Sequence, residues 1–345
     1  MRGTFHTGLV ALSLFALSCS SSSKTPDAPA LPACPPAEAT APNELRCTGL
    51  YADWTAKTLA PDAMPFKPGV ELWSDGADKH RWIYLPPGSK IDTSDPDEWK
   101  FPVGTKTWKE FRVNGRRVET RFYMKTSADQ WAWTTYLWSN DETKADRLDT
   151  GKPNAEGTYE VPKVDSCDQC HRGRKDKVLG VEAVALALPN AEGLTLAKLK
   201  SDGRLSNDVT VPAIPEDATG KAKAALAYLH INCGAACHAN EPHSPGLQSH
   251  LYMRLDLKEL ALGKVEELST YKTAVNAKIE GNAYFEYTSR NFLRIKPGVS
   301  AESLIPALAA VRDKPTQMPP VGSHQADPVG RGLVEAWIDA MPKAQ

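Results

Sequence analysis

The sequence predicts an α+β protein: an N-terminal antiparallel β domain of sandwich type followed by a mostly α-helical region. Three observations predict it. Residues 106–138 alternate apolar and polar side chains around an Asn-Gly pair, the pattern of half-buried strands joined by a tight turn. After residue 165 the alternation gives way to stretches with apolar residues at helical spacing. Nine tryptophans, most of them in the first half, offer large apolar area for a β core.

Taken in order, the first element is an export signal over residues 1–18. Arg2 precedes a short Leu/Ala-rich apolar run that is too short to span a membrane. Cys19 follows at the expected cleavage point, after Ala16-Leu17-Ser18, and then comes a Ser/Pro/Ala-rich tether. A cysteine in that place resembles the lipid acceptor of a bacterial lipoprotein. Residues 19–64 therefore read as an anchored linker closed by a small loop between Cys34 and Cys47, a disulfide in an oxidising compartment. The β domain runs over 65–164. HRWIYLPPG (80–88) and EWKFPVG (98–104) supply strands, and TKTWKEFRV-NG-RRVETRFYMKT leads through SADQ into WAWTTYLWS. Val118, Thr120, Phe122 and Met124 alternate with Glu119, Arg121 and Tyr123, so one face is core. Trp131, Trp133, Tyr136 and Trp138 read as cross-strand packing rather than a sugar-stacking platform.

Residues 165–220 form a loop-and-helix segment in which Leu194, Leu196, Leu199 and Leu205 mark a helix. From 221 to 345 helices dominate: KAKAALAYLHIN, AESLIPALAAVR (301–312) and VGRGLVEAWIDAM (329–341). Lys plus Arg number 41 against 42 for Asp plus Glu, and they are interspersed, so no basic stripe points to nucleic acid. No nucleophile triad, H-E-x-x-H or phosphate-cradling loop is present. The cluster Asp75, Asp78, Lys79 and Arg81 reads as a solvated turn.

The cysteines carry the chemistry. Seven are present, and setting Cys19 aside as lipid carrier leaves three pairs close in sequence. Cys167-Asp-Gln-Cys170-His171 is a complete C-x-x-C-H. That spacing lets two thiols form thioethers to the vinyl edge of a porphyrin while the adjacent histidine turns under the iron. A redox dithiol would need a βαβ setting, and a zinc pair would need further ligands. Cys233-Gly-Ala-Ala-Cys237-His238 has one residue more. Its thiols still share a helical face, so both haem attachment with one residue looped out and a local disulfide fit the spacing. Met318, on the polar loop KPTQMPPVG, is braced by two prolines, a placement that suits an axial thioether better than packing. For the haem at His171, Met64, His80, Met124, His230 and His250 are candidate sixth ligands. Around the second motif, His243, His250 and His324 are alternatives to Met318.

The order of C-H helix, Met-Pro-Pro loop and closing helix over 221–343 resembles the class I cytochrome c domain. More widely, ELWSDGADKHRWIYLPPG, WKFPVGTKTWKEF, RRVETRF, YLWSNDETKADRL, the C-x-x-C-H, AYLHINC and QMPP are similar to a family of exported bacterial haem-binding proteins of unassigned role. The resemblance implies two covalent haem c groups, proximal ligands His171 and His238, and Met318 as distal ligand of the second iron. The chain departs from the family in the lengthened second motif. An exported dihaem electron-transfer protein is thus expected, on the periplasmic side and lipid-anchored to the outer membrane of a Gram-negative bacterium. Its partners would be redox proteins or small electron donors and acceptors. A peroxidase-like haem oxidoreductase and a disulfide-stabilised lipoprotein binding module are the alternatives.

Overall fold

The computed structural model describes Met1, Gly3, residues 31–35 and residues 40–343. Nearly all of the export signal, and Cys19, lie outside the described residues. The chain divides into two compact units, Met1–Cys34 and Pro35–Gln345. Among the described residues, every strand and helix belongs to the second unit, and no helix is long and apolar enough to cross a membrane. Cys47 is disulfide-bonded, and so is Cys34.

The second unit opens with a two-stranded ribbon, β1 (Tyr51–Asp53) and β2 (Thr58–Leu59). A seven-stranded sheet follows. It is built from β3 (Met64–Lys67), β4 (Asp78–Tyr84), β5 (Lys106–Val113), β6 (Arg116–Lys125), β7 (Trp131–Trp138) and β8 (Ala145–Arg147), and β11 (Glu192–Gly193) adds to the β3 edge. The order is β11-β3-β4-β5-β6-β7-β8, antiparallel throughout. Strands β9 (Lys152–Glu156) and β10 (Tyr159–Val161) form a second ribbon. The β5–β6 hairpin closes at Asn114-Gly115, with φ of 52° and 78°, the two positive values that a tight twisted turn demands.

The sandwich expectation is corrected: the strands form one sheet and two small ribbons, and its two faces are covered differently. On one face Trp82, Trp108 and Phe122 sit opposite one another and pack under residues 41–60, with Leu45, Leu50 and Tyr51. On the other, Ile83, Tyr123 and Trp131 join a cluster that continues through Val184 and Leu226 to Trp337 and Ile338. Sheet and helices thus share one apolar core. The stretch 98–104, expected as a strand, is a loop in which the Phe101 N–H donates to the carboxylate of Asp176 instead of to a neighbouring strand.

The helices are short. In order they are α1 (Cys167–His171), α2 (Ala183–Ala187), α3 (Leu196–Ser201), α4 (Ala222–Leu229), α5 (Leu257–Leu260), α6 (Ser269–Ala274), α7 (Phe285–Thr288), α8 (Leu304–Ala310) and α9 (Pro328–Ala340). The longest, α9, begins where it should: the Asp327 carboxylate accepts from the N–H groups of Val329 and Gly330 at 3.0 and 2.9 Å, and Pro328 occupies the first turn. Its buried stripe, Gly330, Val334, Trp337 and Ile338, packs against α4. Burying side chains of this size contributes about 1.5–3 kcal/mol each, which fixes α4 and the motif that follows it.

Candidate functional site

The first motif occupies α1. Cys167 is buried and Cys170 half-buried. His171 Nδ1 lies 2.6 Å from the carbonyl oxygen of Lys177. A carbonyl only accepts, so Nδ1 carries the proton and Nε2 keeps its lone pair. Burial, and next the Lys109 charge, push the imidazole pKa down to about 3, so the ring is neutral. The loop that presents Lys177 is pinned by Asp176. Its carboxylate accepts from Lys125 Nζ at 2.7 and 2.6 Å and from Trp131 Nε1 at 2.9 Å. Tyr123 stacks on the His171 ring with centroids 4.3 Å apart, and Trp133 stacks on Tyr123 in turn at 5.9 Å.

His171 borders a narrow cleft, about 410 Å³ with its open mouth counted but only about 30 Å³ of room for water-sized groups, walled by Phe66, Tyr123, Leu179 and the basic side chains Arg81, Lys109 and Arg121. Arg81, Lys109 and Arg121 lie directly opposite one another on β4, β5 and β6. Arg121 is chelated by Glu119, at 3.0 and 2.7 Å. Arg81 is only 2% exposed, and none of its three guanidinium nitrogens has a hydrogen-bond partner. Of the turn expected to be solvated, Asp78 is exposed and Asp75 half-buried, but Arg81 is buried in this basic cluster instead. None of the candidate sixth ligands borders this cavity. His80 lies on the opposite sheet face, stacked near Trp82, as does Met124, packed with the Trp108 cluster. His250 is exposed. His230 has both ring nitrogens engaged, Nδ1 with the Leu255 N–H at 3.1 Å and Nε2 with Glu182 at 3.3 Å.

The second motif follows α4 without a break. The chain widens into a π-turn over His230–Gly234, with the Ala235 N–H donating to the His230 carbonyl at 2.7 Å and the His238 N–H to the Cys233 carbonyl at 2.8 Å. Both bonds run from i+5 to i, the means by which a helix absorbs one extra residue. His238 repeats the arrangement of His171: Nδ1 lies 3.1 Å from the Leu251 carbonyl oxygen, with Ser249 Oγ at 3.2 Å, and burial lowers its pKa. Cys233, Cys237, His238 and Met318 border one cavity of about 1310 Å³, counting its open mouth, with Trp73 and Tyr228 among its walls. The loop bearing Met318 is held by Met318 N–H to the Leu308 carbonyl at 3.0 Å and by Gln317 Nε2 to the Pro319 and Ser323 carbonyls at 3.1 Å each. The Met318-Pro319 peptide is cis. His243 lies 3.5 Å from Glu98 and His324 3.1 Å from Glu160; neither borders the cavity, nor does His250.

The two motifs touch. A Cβ on Gly173 would stand 1.7 Å from the Ala236 carbonyl oxygen, so only glycine permits the approach. The thiols of Cys170 and Cys237 are neighbours, and their interaction lowers the pKa of Cys170 and raises that of Cys237. All four motif cysteines are free thiols. Sequence reasoning missed the loop that ties the second motif to the segment after Met318. The Trp73 N–H donates to Asn232 Oδ1 at 2.7 Å and its Nε1 to the Gln325 carbonyl at 2.8 Å, while Asp75 accepts from the N–H groups of His324 and Gln325. The phrase ELWSDG was the available signal, and it held only a fold signature until Asn232 and Gln325 were beside it.

Among the described residues, no group of three or more His, Cys, Asp or Glu side chains could hold a bare metal ion. A porphyrin supplies four of its iron's ligands, so haem chemistry asks the protein for one or two. The residues fit that group: cysteine pairs beside neutral histidines whose Nε2 is unprotonated, a roomy cavity with a thioether in its wall, and a buried guanidinium without a partner. Comparisons with family models, curated proteins and solved structures returned no match to the chain.

Proposed function

We propose that the protein is an exported dihaem c-type cytochrome that transfers electrons, lipid-anchored through Cys19 on the periplasmic side. The observation that carries this reading is the repetition of one device in two unlike segments. Each motif has two cysteines and a histidine whose Nδ1–H is tied to a backbone carbonyl, and the two motifs are packed against one another. Haem c would supply the one-electron couple of its iron. Cys167 and Cys170 would hold one haem, Cys233 and Cys237 the other. His171 and His238 would be proximal ligands, their orientation and basicity set by the Lys177 and Leu251 carbonyls. Met318 would complete the second site and raise its potential. Contact between the motifs suits passage of an electron from one site to the other.

The test is the intact mass and haem stain of the mature protein made in a host that attaches haem. Two covalent haems are expected; none would leave the lipoprotein binding module. Met318→Ala should lower the potential of one haem and open its iron to carbon monoxide, and an unchanged potential would exclude Met318 as ligand. One observation favours a second reading, a peroxidase-like haem oxidoreductase. Among the described residues, no methionine, and no histidine besides His171, borders the first cleft. Rapid cyanide binding by the unmutated first haem, with peroxide turnover, would favour that reading over simple transfer.

A further inference from the structure

The basic side chains beside His171 have more hydrogen-bond donors than the protein supplies acceptors for, and burial holds Lys109 well below the usual ammonium pKa. Arg81 stands opposite Lys109, and Lys109 opposite Arg121, across three adjacent strands. Like charges in register repel. Lys79 lies two residues from Arg81 on the same strand face, its side chain 4% exposed. The carboxylates within reach are two. Glu119 is committed to Arg121 and to the Tyr159 hydroxyl at 2.6 Å. Glu71, itself 38% exposed, is shared between Lys79 at 3.8 Å and Arg81 at 4.0 Å. Lys109 has no carboxylate partner among the described residues. Most telling is Arg81: a planar fork of donors, sealed from solvent on a cavity wall, with Nε, Nη1 and Nη2 all unpaired. Unpaired buried donors and uncompensated buried charge are both costly, and a guanidinium fork matches a carboxylate or an oxyanion.

We propose that Arg81, Lys109 and Arg121 form a binding site for a carboxylate or a small oxyanion in the cavity beside His171. Two sources share that chemistry. One is a propionate of the haem held at Cys167 and Cys170, which rests on the function proposed above; the other is a free oxyanion entering the cavity, which does not. The site binds and neutralises; no bond is made or broken.

The test uses the full chain in two forms. Chain produced without haem attachment is melted with inorganic phosphate, or acetate, against chloride at matched ionic strength. A rise in Tm of about 3 °C or more is expected at saturation, lost in Arg81→Gln and in Lys109→Met; the second variant guards against misfolding of the first. In the haem-loaded protein, propionate occupancy predicts that phosphate changes nothing while Arg81→Gln lowers the potential of one haem. Free oxyanion binding predicts a phosphate-dependent shift of that haem's absorption, abolished by Arg81→Gln. The proposal is overturned if the unloaded chain shows no anion response in excess of chloride and Arg81→Gln leaves the loaded potentials unchanged. Failure to attach haem would sink the cytochrome reading and the propionate source, while the unloaded melt would still decide the site.

Discussion

Asp176 shows how much one side chain holds. It is 6% exposed, yet its carboxylate takes the Lys125 ammonium, the Trp131 indole N–H and the Phe101 backbone N–H. Those bonds fasten the loop after the first motif to the sheet, and the loop in turn delivers the Lys177 carbonyl to His171. Asp176→Asn keeps the shape but removes the only carboxylate that, among the described residues, pairs with a lysine that is 4% exposed. Breaking a buried pair from one side costs about 3–5 kcal/mol, whereas replacing both partners by apolar groups is often neutral. Urea unfolding should show that loss for Asp176→Asn, and Lys125→Met with Asp176→Leu should recover most of it. Equal stability of Asp176→Asn and wild type would mean that the pair holds nothing.

At the scale of elements, the π-turn between α4 and His238 explains how C-x-x-x-C-H keeps its histidine in place. The extra residue is taken up in two i+5 to i bonds rather than looped out. Deleting Ala235 should therefore return the turn to α-helix and leave two haems per chain, while inserting a second alanine after it should leave one; haem-to-protein ratio reads both. The second motif was legible as a pattern, but its spacing gave no view of the backbone that absorbs it. Hairpin β5–β6 and helix α9 were legible because their signals are local: Asn114-Gly115 for the turn, Asp327-Pro328 and an apolar stripe for the helix. Strand β6 was only half legible. Alternation separates its two faces, and Glu119 and Arg121 on one of them looked like solvent side chains. Both faces are covered, because Tyr159 and the loops around the first motif close over the charged one. Covering that comes from remote sequence leaves no periodic trace. For the same reason the candidate sixth ligands were chosen by residue type, and the sheet turned His80 and Met124 away from His171.

Across the whole molecule the charge is nearly balanced, a net of −1, so pH should act on stability through buried groups and not through general repulsion. Lys79 is the one to watch. Burial first, then Arg81, lowers its pKa to about 7; Glu71 and Asp327 oppose the shift and Arg121 adds to it. An unfolded lysine keeps its proton to about 10.4. Between pH 7 and that value the unfolded chain binds more protons than the folded one, so stability rises with pH. Buried thiols run the other way: burial raises Cys167 and Cys233, the latter to about 12, so their opposing slope begins near the ordinary thiol pKa of about 8.5. The useful window in the unloaded chain is thus pH 7 to 8.5. Urea unfolding there should show wild type gaining on Lys79→Met at on the order of 1 kcal/mol per pH unit, the thiol contributions cancelling in the difference. Phosphate ties this slope to the anion site. An anion seated against Arg81 would remove the repulsion that Arg81 exerts on Lys79, return the lysine toward its ordinary pKa and flatten the difference. A slope that is present without phosphate and unchanged by it would place Lys79 outside the reach of whatever Arg81 binds.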